Sequence, residues 1–277
     1  MTRADAAADP AGAADADLTG ELTRSILASA KYRGLDEGLV RRVAAEAAQR
    51  CPGRAEAAKY ARRKLHQAFG AFLAGSPARA VTQAVAAVRS GEADLRAAAL
   101  PAMRAHASSA ERAAWLAPFY ARVADWCGSP ASVADLACGL NPLAIPWMTL
   151  APGASYWACE IDTGLVAALA GLAEVVPPRL TAVTCDLVAA PPALHADVAL
   201  LLKTVTTIEQ QAAGSAARLL GALDCAHVIL SLPRRSLSGR RGYRDDAAAV
   251  AERAAAGRYR VRDEAEFGGE LVYHLTR

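Results

Sequence analysis

Three residues, Asp135, Gly139 and Glu160, carry the most legible chemistry in this chain. The run Val133-Ala134-Asp135-Leu136-Ala137-Cys138-Gly139 delivers a carboxylate at the end of a short apolar stretch and follows it with small residues. A second apolar run, 156–161, brings in Glu160 about 20 residues later, where α/β nucleotide-binding folds hydrogen-bond a ribose. The loop departs from the dinucleotide fingerprint. It has one central glycine, Gly139, and then Leu140-Asn141-Pro142, where further glycines would let the backbone approach a pyrophosphate. It suits a ligand with adenine and ribose but no phosphates. S-adenosylmethionine (SAM) has that shape, with an amino-acid tail and a sulfonium that carries a transferable methyl group. Taken alone, Asp135 could equally be a solvated strand-end carboxylate.

These residues need a sheet to hold them. From Ser132 onward, apolar runs at 132–137, 155–161, 180–185, 197–202 and 227–232 alternate with helical spacing, the pattern of a parallel sheet with crossover helices. The segments 258–267 and 270–276, joined by Gly268-Gly269, predict a closing β-hairpin. That ending is usual for SAM-dependent methyltransferases and normally lacking in NAD-binding domains. The expected fold class is therefore α/β, a Rossmann-like methyltransferase domain over 127–277. Upstream, helical spacing over 21–50, 54–74, 77–89, 92–105 and 108–126 predicts a helical N-terminal domain over 21–126, interrupted at Pro52-Gly53, Gly75-Ser76-Pro77 and Ser90-Gly91. Ser108 or Ser109 marks a helix start, and Gly128-Ser129-Pro130 ends that helix. The Ala/Asp tract 1–20 is expected to be a disordered acidic tail.

Composition narrows the class. The 277 residues are 53% apolar but only 5% aromatic, so helices packed through small residues are favoured over a β-sandwich. The six cysteines form no C-x-x-C pair and lie mostly in apolar runs, which predicts reduced thiols in a cytoplasmic protein, with neither zinc nor disulfides implied. His106, His195, His227 and His274 share no metal-ligand spacing, so no metal is expected. No basic, apolar leader is visible and no apolar run is long enough to span a bilayer, so no membrane partner is expected. Net charge is +3; residues 1–20 hold one arginine against four aspartates, so the rest of the chain carries +6, which permits a nucleic-acid partner without requiring one.

Open α/β sheets bind ligands beyond the carboxyl ends of their strands, so 135–139, 160–162, 186–187, 203–211 and 231–235 map to one rim. Glu160 would accept from the ribose hydroxyls, with Asp162 as the alternative. Asp186 and Leu187 would bracket the adenine, and the small Ala137 and Gly139 would admit the methionine portion. Lys203-Thr204-Val205-Thr206-Thr207 stands where many amino-methylating enzymes carry Asp/Asn-Pro-Pro-Tyr/Phe. Acceptors of that motif suit an exocyclic amine that must lose protons, whereas guanine N7 already offers a lone pair. A cation at Lys203 could position a phosphate or guanine O6; it could also be a snorkelling strand-end lysine. Two basic clusters could meet RNA. Lys59, Arg62, Arg63, Lys64 and His66 form one, with Lys59, Arg62, Arg63 and His66 on one helix side. Arg234, Arg235, Arg240, Arg241 and Arg244 form the other, in a loop after the fifth strand. An ordinary solvated face is the competing reading of the helix.

With the run 135–147 assembled, the chain resembles the aminoglycoside-resistance methyltransferases that modify guanine N7 in the decoding site of 16S ribosomal RNA. The likeness extends through His106-Ala107-Ser108-Ser109-Ala110-Glu111-Arg112, Leu200-Leu201-Leu202-Lys203-Thr204, Glu209-Gln210-Gln211, Ser231-Leu232-Pro233-Arg234-Arg235 and Glu270-Leu271-Val272-Tyr273, and so covers about residues 20 to 277. The resemblance implies that Arg112 contacts the SAM carboxylate, that His106, Ser109, Ile161 and Gln211 also line the cofactor, and that Lys203 and the Arg240-Arg241 loop serve the target. It further implies a monomer whose helical N-terminal domain docks on the assembled 30S subunit. Position 160 is Glu where the family carries Asp, which keeps Asp162 in play. Two other readings remain: a small-molecule methyltransferase of an antibiotic pathway, with the helices as a lid, and an RNA-binding module with a vestigial cofactor fold.

Overall fold

The computed structural model describes residues 10–234, 244–255 and 257–277. The chain divides into two compact units, Met1–Ala71 and Phe72–Arg277. In the first, α1 (Pro10–Leu27), α2 (Glu37–Arg50) and α3 (Arg54–Leu65) pack together, and one π-helical turn, His66–Gly70, continues α3. Asp36 starts α2 by accepting the Leu39 amide at 2.8 Å. Ala44 and Ala47 of α2 and Ala57 and Ala61 of α3 are fully buried, so helices without bulky side chains meet closely. Residues 10–20, expected to be disordered, belong to α1; residues 1–9 lie outside the described residues.

The second unit starts with α4 (Pro77–Arg89), α5 (Leu95–Met103), α6 (Ala107–Arg112) and α7 (Leu116–Cys127), and then enters the sheet. Strands β1 (Ser132–Leu136), β2 (Ser155–Glu160), β3 (Arg179–Thr184), β4 (Leu194–Leu202) and β5 (Leu223–Pro233) are parallel, with α8 (Thr163–Leu172), α9 (Val205–Gln211) and α10 (Ser215–Ala222) in the crossovers. After α11 (Arg244–Ala255), β6 (Arg260–Phe267) and β7 (Glu270–Thr276) close the sheet as a hairpin, β7 running antiparallel to β5. The strand order is β3-β2-β1-β4-β5-β7-β6. The predicted alternation and hairpin are thus present, with β4 and β5 starting earlier than their apolar runs suggest.

Each sheet face has its own core. Val81 and Val85 of α4, Met103 of α5, Phe119 and Tyr120 of α7 and Leu165 and Leu169 of α8 cover one face; Ile208, Leu219, Leu220 and Ala251 from α9, α10 and α11 cover the other. Because α4 buries its apolar stripe against α8, the helices 77–127 belong to the sheet unit. The compact division at 71/72 therefore precedes the expected 126/127 boundary. No helix among the described residues is long and apolar enough to cross a membrane.

Candidate active site

All five parallel strands end at one rim, and the sequence-predicted residues collect there. Asp135, near the end of β1, lies beneath the loop. Its Oδ2 accepts from the Tyr156 hydroxyl at 2.5 Å and from Asn141 Nδ2 at 2.9 Å, and Asn141 Oδ1 accepts from Tyr120 at 2.6 Å. Burial pushes the Asp135 pKa up to about 6, opposed by the two hydrogen bonds and by the Arg112 charge. The carboxylate is thus a hub that ties β1, β2, α7 and the 141–147 turn together. Ala137 and Gly139 both have positive φ, 55° and 51°. A Cβ on Gly139 would also stand 3.3 Å from His106 Cε1, so the position favours glycine for its conformation and a side chain there would crowd the imidazole. His106 stacks on Phe72 at 5.7 Å with Ser108 Oγ 3.0 Å from Nδ1. Burial, together with the Arg112 and Lys203 charges, lowers its pKa to about 4, so it is neutral at physiological pH.

Glu160 ends β2 and turns its carboxylate toward the loop. Oε2 accepts the Gly139 amide at 2.8 Å, and Oε1 accepts the amides of Ile161 at 2.7 Å and Asp162 at 3.3 Å. Asp162 acts elsewhere, on the helix that follows. Its Oδ1 caps α8, accepting from Gly164 at 2.9 Å and Leu165 at 3.1 Å. The Cys185 amide donates to the Glu160 carbonyl at 3.0 Å, which sets the 185–190 turn beside β2. Within that turn Asp186 Oδ1 accepts from Val188 at 2.9 Å and Ala189 at 3.2 Å, while Leu187 is buried.

On the other side of the loop stands a charge network that no spacing in the sequence announces. Arg112 of α6 is buried, one turn after buried Ser109, and donates to Glu270 Oε1 at 2.6 Å with its guanidinium over the Phe119 ring. Its Nε is the one fully buried side-chain polar atom without a hydrogen-bond partner among the described residues. Glu270 also accepts from Ser231 Oγ and lies 3.7 Å from Lys203 Nζ. These cations hold the Glu270 carboxyl below its ordinary pKa against the opposing effect of burial. Lys203 follows β4 with φ 59°; its amide donates to Ser231 Oγ at 3.0 Å and its ammonium pairs with Glu111. Thr204 Oγ1 donates to the Leu136 carbonyl at 3.1 Å, pinning this corner to β1. Gln211, half-buried, ends α9. Sequence reasoning placed Ser231 on the rim but gave no role to Glu270, Asn141 or Tyr156. The antiparallel placement of β7 beside β5 sets its first residue, Glu270, opposite Pro233 at the same rim.

Arg112, Lys203 and the 135–139 loop are therefore one neighbourhood, linked to Glu160 through Gly139. The basic helix lies in the first unit. Lys59, Arg62, Arg63 and His66 are exposed there. Lys64 turns the other way, 3.1 Å from Glu46, which also accepts from Tyr60 at 2.6 Å, so it supports the helix packing and stands apart from the open cationic face. Arg234 pairs with Glu266; Arg235, Arg240 and Arg241 lie outside the described residues. The tertiary structure also brings His227 and His274 together with Cys127, although the histidines share no ligand spacing in sequence.

The family described as Ribosomal RNA methyltransferase (FmrO) matches residues 28–274. A 16S rRNA (guanine(1405)-N(7))-methyltransferase of Micromonospora olivasterospora is 56% identical over 252 residues, covering 91% of this chain and 86% of that protein. The enzyme of the same name from Frankia casuarinae is 39% identical over 263 residues, with 91% and 92% covered. Among solved structures, 16S rRNA methyltransferase RmtF in complex with S-adenosyl-L-homocysteine superposes with a TM-score of 0.81 at 30% identity, covering 94% of this chain and 98% of its own.

Proposed function

Because the chain belongs to the ribosomal RNA methyltransferase (FmrO) family, we propose that it transfers the methyl group of SAM to N7 of guanine 1405 in 16S rRNA, giving aminoglycoside resistance. The observation that carries the reading is the buried Arg112. Its unpartnered Nε donor, near a glycine loop where a Cβ would crowd His106 and which Glu160 holds by the Gly139 amide, suits an amino-acid ligand that also bears a ribose. These residues fit SAM. Arg112 would hold its carboxylate and Glu160 its ribose hydroxyls. A carboxylate has about four acceptor sites, so three amides leave Glu160 capacity for a hydroxyl. Asp186 and Leu187 would flank the adenine, with His106, Ser109, Ala137, Gly139, Ile161 and Gln211 completing the walls.

When bound, SAM supplies an electrophilic methyl on a sulfonium. The chain itself contributes alignment, because guanine N7 presents a lone pair and no side chain has to remove a proton. Lys203 is the residue assigned to the target. An ammonium has three donors, Glu111 and Glu270 occupy two directions, and the third is left for guanine O6 or a phosphate. Glu111, with 58% of its side chain exposed, is the partner that a nucleotide would displace most readily. The first unit docks on the 30S subunit through Lys59, Arg62 and Arg63, and Arg235, Arg240 and Arg241 approach the target. The protein works in the cytoplasm as a monomer.

Incubating 30S subunits with the protein and methyl-labelled SAM tests the reading. N7-methylguanine carries a fixed positive charge, so borohydride and aniline should cleave the labelled RNA at that guanine. Label that resists cleavage, or that sits on an adenine or a ribose, would overturn it.

A further inference from the structure

Away from the rim, three side chains from three elements converge. Cys127 ends α7, His227 lies on β5 and His274 on β7. One ligand atom of each, Cys127 Sγ and an imidazole nitrogen of each histidine, lies within 4.8 Å of the other two. Among the described residues this is the single group of three histidine, cysteine or carboxylate ligands that converges so. The register explains the meeting. In the antiparallel β5–β7 pair His227 faces Thr276 and Ile229 faces His274, so the two imidazoles are diagonal neighbours on one sheet face, the face that α7 covers. His227 is four residues before Ser231 on β5, roughly 13 Å back from the rim.

We propose that Cys127, His227 and His274 form a binding site for zinc or a similar borderline divalent cation, separate from the site of methyl transfer. One sulfur and two imidazole nitrogens select such a metal over magnesium or calcium, which take oxygen donors. The space fits. Tetrahedral zinc sets its ligand atoms about 3.3 to 3.6 Å apart. His227 Nδ1 and His274 Nε2 stand 2.9 Å apart, so they would part by a few tenths of an ångström. That contact is a hydrogen bond in which one nitrogen donates to the other. Metal binding replaces the bridging proton: the donating imidazole carries its proton on its other nitrogen, both facing lone pairs turn to the cation, and the Cys127 thiol proton leaves to solvent. Water takes the fourth position.

The surroundings hold the ligands in place. Trp126 stacks on His274 at 5.3 Å and donates from Nε1 to Asp263 at 2.9 Å, and Asp263 faces His274 across the β6–β7 pair. Asp263 also pairs with Arg122 at 3.1 Å, so it braces the Trp126 ring against the His274 imidazole. The inference is independent of the methyl-transfer reading, since none of the three residues belongs to the rim.

Cobalt reports the ligand set directly. Full-length protein stripped with chelator and titrated with Co²⁺ should take up one equivalent, with tetrahedral visible bands and a near-ultraviolet thiolate-to-cobalt charge-transfer band that zinc displaces. Cys127→Ser should abolish the charge-transfer band and His274→Gln should weaken binding at least tenfold. A titration without tetrahedral bands, or bands unchanged in Cys127→Ser, would overturn the site. The unmutated protein gives a second readout that does not depend on how a variant folds. Zinc should slow alkylation of Cys127 at least tenfold while leaving Cys51, another half-buried thiol, at its original rate. Equal rates at Cys127 with and without zinc would equally overturn it.

Discussion

Glu160 and Glu270 are buried to a similar degree, 7% and 5% exposed, yet their acidities move in opposite directions. Burial pushes both pKa values up. At Glu160 the opposing partners are three backbone amides; burial prevails and the pKa stays raised. At Glu270 they are the Arg112 guanidinium and the Lys203 ammonium, helped by Ser231, and the pKa falls below its ordinary value. A full charge outweighs neutral dipoles in a dry site. On the proposed reading the difference divides the labour of the rim: an amide-held carboxylate keeps acceptor capacity for a neutral hydroxyl, whereas a cation-held one is occupied in orienting those cations.

The same substitution at both places is the strongest way to break that comparison. Glu270→Gln leaves Arg112 and Lys203 without their shared counter-charge and should cost about 3 to 5 kcal/mol of stability, the usual penalty for stranding a buried ion. Glu160→Gln should cost only about 1 to 3 kcal/mol, from an amide group facing amide donors. Urea unfolding of the two variants checks this, and equal losses would erase the distinction.

A third buried carboxylate, Asp135, extends the comparison along the pH axis. Its folded pKa, about 6, lies above its ordinary 3.8, so its contribution to stability is present in full below 3.8 and is lost as pH rises through about 6. Glu270 has the opposite sign: its contribution is present above its ordinary 4.5 and is lost as pH falls through the lower folded value. Wild type should therefore lose stability relative to Asp135→Asn on going from about pH 4 to 7, by about 2 to 3 kcal/mol for a shift of this size. Unfolding midpoints across that range that run parallel for the two proteins would show that the hub does not titrate as described.

On the proposed reading, Glu160 and Asp162 separate ligand binding from helix capping. Glu160→Ala should weaken SAM binding tenfold or more, from about 1.5 to 3 kcal/mol of hydrogen bonds to a charged acceptor, as read by calorimetry. Asp162→Ala should leave SAM affinity unchanged and cost about 1 kcal/mol of stability as a lost N-cap. The reverse pattern would move the ribose contact to Asp162. The smallest effect concerns cations that face water. Replacing Arg62 and Arg63 by Gln should weaken 30S binding and flatten its salt dependence by about 0.7 to 0.9 per lost phosphate contact. Lys64→Gln should leave the slope as it is, because Glu46 already holds that ammonium. A slope that responds to Lys64 alone would reassign the docking face.

Much of this molecule is determined locally and so is readable along the chain. Apolar runs of strand length, the turn glycines Gly139 and Gly268 and the Gly128 helix stop act on their immediate neighbours, and the alternation, the hairpin and the rim of strand ends follow from them. Glu160 could be named for the same reason, since it directly ends an apolar run. Sequence periodicity could not place the boundary between the units, because whether α4 packs on α8 depends on contact between faces some 80 residues apart. Nor could it separate Lys64 from Arg62 and Arg63, since the partner that turns Lys64 inward, Glu46, comes from another helix. The Arg112–Glu270 pair spans 158 positions and the Cys127, His227 and His274 cluster joins a helix end to two antiparallel strands. Both depend on β7 inserting beside β5, and only the folded sheet, by burying those charges and aligning those strands, decides which distant side chains must answer one another.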